Sequence, residues 1–144
     1  MRLWHKDLLP YLPDLQFKGQ LRELVAIMRD WRDKGKTNHL LINKVMEYPK
    51  DHLMYYWERY RLCYWARFGK NLAEYDIEFA DFGNPLKCGQ YECFNAWHDR
   101  TYLEICMVNL YEKHKYGVGK SRISEKDWKT LLEGYNKITG NNFM

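Results

Sequence analysis

A chain of 144 residues, 46% hydrophobic and 17% aromatic, has enough apolar content to build one domain around its own core and too much for intrinsic disorder. No apolar run approaches the roughly 18 residues of a membrane-spanning helix, and Arg2, Lys6 and Asp7 interrupt the start where a secretory signal would lie. The expectation is a soluble, cytoplasmic, monomeric protein whose modest net charge of +4 matters through its distribution.

Helical signals dominate in chain order. Asp14 is placed to cap a helix that runs to about Lys34 and stops at Gly35, and a short helix is predicted over residues 39 to 47. Pro49 can start a third helix, ending near Gly69. From Lys70 to Glu92 the pattern is lost, and Gly83, Pro85 and Gly89 mark a long irregular connection. Periodicity returns from about Asn95 to Lys115, with a stop at Gly117. Ser124, with Asp127 three residues on, resembles a capping box opening a last helix that ends near Gly140. The prediction is an all-α chain, a single helical domain over residues 1–144 with about four to five helices.

Several motifs also fit plain structural roles. Trp57, Tyr60, Tyr64 and Phe68 form a stripe at helical spacing, which reads as core before it reads as a base-stacking platform. Cys63, Cys88, Cys93 and Cys106 read as reduced thiols. The Cys88-x4-Cys93 spacing is looser than most zinc knuckles and no second pair follows, so neither a metal nor a cofactor is predicted. YGVGKS, residues 116 to 121, fails as a phosphate-binding loop, because His114 stands where the first glycine should be and a helix precedes it. Charge is uneven. Residues 71 to 99 hold six acids and one base, whereas KHKYGVGKSR, residues 113 to 122, has four bases and no acid. Such a basic surface suits an oriented polyanionic partner, and it equally suits a solvated loop.

Rotating by about 100° per residue along residues 14 to 34 puts Phe17, Leu21, Leu24, Val25, Ile27, Met28 and Trp31 on one broad face for burial. Opposite lie Lys18, Arg22 and Arg29 in a narrow stripe, with Glu23 at its edge and the small residues Gly19 and Ala26 beside it. Gly19 costs roughly 1 kcal/mol relative to alanine inside a helix, which invites a reason such as close approach by another group. Glu23 has no helical salt partner, since positions 19 and 27 are glycine and isoleucine.

The run MRLWHKDLLPYLPDLQFKGQLREL resembles the N-terminal signature of the pyrimidine-dimer DNA glycosylases, the ultraviolet-repair endonuclease V family of bacteriophages and some microbes. The matching residues are Arg2, Leu12, Gln16, Gly19, Gln20, Arg22, Glu23 and Leu24, with a weaker similarity around His39 and on to Gly69. The resemblance implies an all-α glycosylase with abasic-site lyase activity, acting on double-stranded DNA that contains damaged or abasic sites. It implies catalysis by an N-terminal α-amine opposite Glu23, with Arg2, Arg22 and His39 holding phosphates; Lys18 and Arg29, from the helical stripe, join them. Phage members carry threonine after the initiator methionine, whereas Arg2 here blocks ordinary removal of Met1, so Met1 itself takes the nucleophile's place. Ala26 stands where the family has a second arginine, and the family's aromatic, basic C-terminal segment has only an echo in residues 111 to 117. The alternatives are a non-catalytic nucleic-acid-binding module and an unrelated helical interaction protein.

A terminus also suits this chemistry on general grounds. An α-amine with a pKa near 8 is roughly one-tenth neutral at pH 7, whereas an ordinary lysine near 10.4 is less than a thousandth neutral. It is a nucleophile without special tuning.

Overall fold

The computed structural model describes residues 2–35, 43–82 and 93–143. Among them four α-helices occur and no strand: α1 (Asp14–Lys34), α2 (Lys50–Phe68), α3 (Arg100–Tyr116) and α4 (Glu125–Thr139). The chain divides into two compact units, one formed by Met1–Leu3 with Leu21–Ala96 and the other by Trp4–Gln20 with Trp97–Met144.

The first unit takes most of α1, all of α2 and the connection beyond it. Pro49 precedes α2 with φ −55° and ψ 149°, and Gly69 ends it at φ 71°, a left-handed conformation that glycine adopts without a steric penalty. Between these limits Leu53, Tyr56, Trp57 and Tyr60 are fully or almost fully buried. The aromatic stripe is core at its first half and half-buried at Tyr64 and Phe68, as a ladder of rings: Tyr60 and Tyr64 centroids lie 6.0 Å apart, Tyr64 and Phe68 4.8 Å. Trp57 meets the edges of Tyr75 and Phe79, which come from the supposedly irregular stretch. That stretch contains two 3-10 turns, Ala73–Tyr75 and Ala80–Phe82, and is fastened by Arg61, which donates to Asn71 O at 2.7 Å and to Asp76 at 2.7 Å. Of the helix predicted over 39 to 47, Lys44–Glu47 forms a 3-10 turn, and residues 36–42 lie outside the described set.

The second unit packs a 3-10 turn (Lys6–Tyr11), the first turns of α1, α3 and α4. Leu8, Leu9, Phe17, Cys106, Met107, Leu110 and Leu131 are fully buried, and burial of such a side chain is worth about 1.5–3 kcal/mol relative to exposure. α3 begins at Arg100 and not near Asn95, because Asp99 stays extended and its carboxylate accepts the Tyr102 N–H at 2.9 Å. Ser124 caps α4 as predicted, its Oγ accepting the Asp127 N–H at 3.1 Å, and Gly140 ends that helix at φ 75°. Asp14 occupies the first position of α1 and places an acidic charge in its first turn.

Gly134 on α4 lies against the Tyr11 ring. A Cβ there would overlap the ring, with Cδ1 at 2.8 Å. Gly134→Ala should therefore destabilise the fold by about 1–3 kcal/mol, and Tyr11→Ala should relieve the overlap, so that the two changes combine less than additively. Urea denaturation of the two single variants and the double variant measures this; additive losses would contradict the packing.

Candidate active site

The start of the chain is bound tightly. Leu3, Trp4 and His5 are all buried, the last only 2% exposed. Within the second unit the Trp4 N–H donates to Gln20 Oε1 at 2.8 Å, and Gln20 is itself buried on α1. His5 Nδ1 accepts the Asp7 N–H at 3.1 Å, which leaves Nε2–H to donate to His98 O at 2.9 Å. His98 Nδ1 in turn accepts the Lys6 N–H at 3.0 Å, and the two imidazoles stack with centroids 5.1 Å apart. Each of these bonds uses a neutral ring.

Burial pushes the His5 imidazole below its ordinary value of 6.5, and Lys6 adds to this, while Asp7 and the carbonyls of His98 and Asp99 act the other way. The unfolded chain thus binds more protons at position 5 than the folded one once the pH drops below about 6.5. The stabilisation is complete above that pH and is lost on acidification. The urea midpoint should fall between about pH 7.5 and about pH 5.5, and a His5→Gln chain should lose less stability over the same interval. An equal loss in both chains would contradict the neutral, buried role of His5.

In the first unit the Arg2 N–H donates to Glu23 Oε2 at 3.3 Å. This partner comes from 21 residues earlier in the chain. Glu23 is half-buried, a setting in which its charge is less screened than on an open surface. Arg22 beside it is exposed. In the second unit, a Cβ built on Gly19 would meet nothing within 4 Å among the described residues. Gln16, three residues before Gly19, keeps its Oε1 buried without a hydrogen-bond partner among the described residues. A buried acceptor left unmade costs about 1–3 kcal/mol, which a donor on a bound molecule would recover.

The predicted apolar face of α1 is buried at Phe17, Leu24, Val25, Ile27 and Met28 and half-buried at Leu21 and Trp31. Of the predicted basic residues, Lys18, Arg22 and Arg29 are exposed and Arg2 is half-buried. Arg29 is committed to Glu78, with both carboxylate oxygens engaged and Nη2–Oε2 at 3.0 Å, and Arg32 adds a third contact at 3.3 Å. These hydrogen bonds raise the Arg29 pKa and lower that of Glu78. Met1 and His39 lie outside the described residues. Cys63, Cys93 and Cys106 are free thiols, Cys88 falls outside the described set, and among the described residues no group of three or more His, Cys, Asp or Glu is placed to hold a metal. No helix among the described residues is long and apolar enough to cross a membrane.

Sequence reasoning missed the work of His5, Gln20 and His98 in anchoring the terminus. Gln20 was visible as part of the family pattern, but its use as an acceptor for Trp4 was not. His98 carries no local signal, since its partners are 92 and 93 residues away.

Residues 1–63 match the family model described as Pyrimidine dimer DNA glycosylase. The curated proteins and the solved structures yield no match. The matched segment holds Arg2, Gln16, Gly19, Gln20, Arg22 and Glu23 and ends within α2. The match covers less than half of the chain and falls on the part whose first 24 residues resemble the same family.

Proposed function

We propose that this chain removes damaged pyrimidines from double-stranded DNA and then cleaves the abasic strand, using the α-amine of Met1 as nucleophile and Glu23 as its charged partner. The observation that carries the reading is the Arg2 N–H bonded to Glu23 at 3.3 Å, since the α-amine is three covalent bonds from that nitrogen. The neutral amine attacks C1′ of the deoxyribose. The C1′–N bond breaks with its electron pair leaving on the base, which takes up a proton, and the cationic sugar that develops is stabilised by the Glu23 carboxylate. Ring opening gives an iminium between the terminus and C1′. It acidifies the C2′ proton; a base removes that proton, and the C3′–O bond breaks to release the 3′ phosphate.

Access to C1′ requires a nucleotide to be turned out of the stack, at a cost of a few kcal/mol that is least at a lesion. In the second unit the unused Gln16 acceptor offers a hydrogen bond to a bound molecule. Arg2, Lys18 and Arg22 hold phosphates, joined in this reading by His39. Arg29 reaches a phosphate only by giving up Glu78. The amine, the carboxylate and water are sufficient for these steps without a cofactor.

Borohydride reduction of the chain mixed with an abasic duplex tests this reading. A covalent protein–DNA adduct is the expected result. If none forms while duplex DNA is still bound, the chain is a binding module and the catalytic reading is wrong.

A further inference from the structure

We propose that His5 and His98 form a proton-sensitive latch on the start of the chain: both are positioning residues, and a proton on either ring releases the segment that carries the proposed nucleophile. The inference rests on the glycosylase reading for the reaction that the latch controls.

The bonds that form the latch all lie in the second unit. Two consecutive N–H groups at the start of the 3-10 turn Lys6–Tyr11 end on imidazole nitrogens: the Lys6 N–H donates to His98 Nδ1 at 3.0 Å and the Asp7 N–H to His5 Nδ1 at 3.1 Å. The first N–H groups of a helical segment have no partner within it, and side-chain oxygens of Ser, Thr, Asn or Asp are the common acceptors there. Those oxygens go on accepting in mild acid. An imidazole nitrogen stops accepting once it takes a proton. Protonation at Nδ1 therefore sets N–H against N–H and leaves buried donors unmade.

Burial makes that loss hard to absorb. His5 is 2% and His98 4% exposed, and their rings stack 5.1 Å apart. The Tyr102 ring, from α3, stacks on both at 6.2 and 5.0 Å, and Trp97 meets His98 at 4.7 Å. Of the charged groups that face the pair, Lys6 opposes a proton on His5, and Asp7, 3.9 Å from His5 Nδ1, favours one together with the carbonyls of His98 and Asp99. The Asp99 carboxylate is engaged with the Tyr102 N–H. Desolvation outweighs the attraction of Asp7 and holds His5 below its ordinary value. A charge on one ring also opposes a charge on the other. Acid is met at least cost when the ring leaves for water and takes its chain with it. Trp4, bonded to Gln20 Oε1 at 2.8 Å, is the next residue, and four peptide bonds join His5 to the α-amine.

The test compares the full chain with a His5→Asn, His98→Asn double variant, whose amide oxygens can accept the same N–H groups and take no proton. Single-turnover trapping on an abasic duplex with cyanoborohydride is followed from about pH 8 to about pH 4.5, each chain scaled to its own rate at the upper limit. Far-UV circular dichroism and hydrogen exchange of residues 1–9, relative to exchange in α4, are read at each pH. The amine alone gives log rate a slope of about one against pH, and the parent should steepen toward about two below about pH 6.5. The double variant should stay near one, because Glu23 titrates in both chains alike. By the lower limit the parent should have lost about tenfold more than the variant, with relative exchange of residues 1–9 rising in the parent alone and the helical signal unchanged. Equal slopes, equal exchange, or helix lost in step with trapping overturns the latch. Should the double variant not fold, relative exchange within the parent decides: a rise with acid supports the latch and a constant ratio overturns it. A parent that never traps refutes the glycosylase reading, and the same exchange measurement then decides the latch by itself.

Discussion

Replacing Glu23 with glutamine should lower base excision and strand cleavage by about 100-fold or more while leaving duplex binding nearly unchanged. Glutamine keeps the shape and an oxygen able to accept the Arg2 N–H, so the 3.3 Å contact and the fold survive. What disappears is the negative charge proposed to face the sugar as it turns cationic, and a half-buried charge is worth more there than one in open solvent. Steady-state cleavage of lesion-bearing and abasic duplexes, paired with anisotropy on the same DNA, measures both quantities. Loss of binding in step with activity would assign Glu23 a structural role instead.

Blocking the α-amine should have a still larger effect. Acetylation, or residues added ahead of Met1, removes the proposed nucleophile without touching Leu3, Trp4 or His5, whose burial and bonds to Gln20 and His98 hold the segment. Covalent trapping on abasic DNA should vanish, urea stability should stay within about 0.5 kcal/mol of the parent, and non-covalent DNA binding should persist. A blocked chain that traps as well as a free one would make a lysine the nucleophile.

The parts of the fold that depend on local chemistry were legible in the sequence. Gly35, Pro49, Gly69, Ser124 and Gly140 each impose a backbone conformation or a cap within a few residues, and the helix boundaries fall where they say. The start of α3 was misread because Trp97 and His98 continue an apolar pattern without being helical; both are buried, and His98 serves Lys6 and His5 instead. The ion pair of Arg29 with Glu78 spans 49 residues and has no local trace, so the basic stripe on α1 looked freer than it is. Glu23 stood out in the sequence for want of a basic residue one turn away, but its pairing with the first peptide N–H was suggested only by the order of residues in the family signature and by the acidity of an α-amine.

The most direct measurement is to locate the bond. The chain is trapped with borohydride on an abasic duplex, digested with protease and nuclease, and the peptide carrying the deoxyribose remnant is sequenced by mass spectrometry. The account predicts the remnant on the α-nitrogen of Met1 in the N-terminal peptide; a remnant on Lys6, Lys18 or any other lysine, with a free amine at Met1, would contradict it.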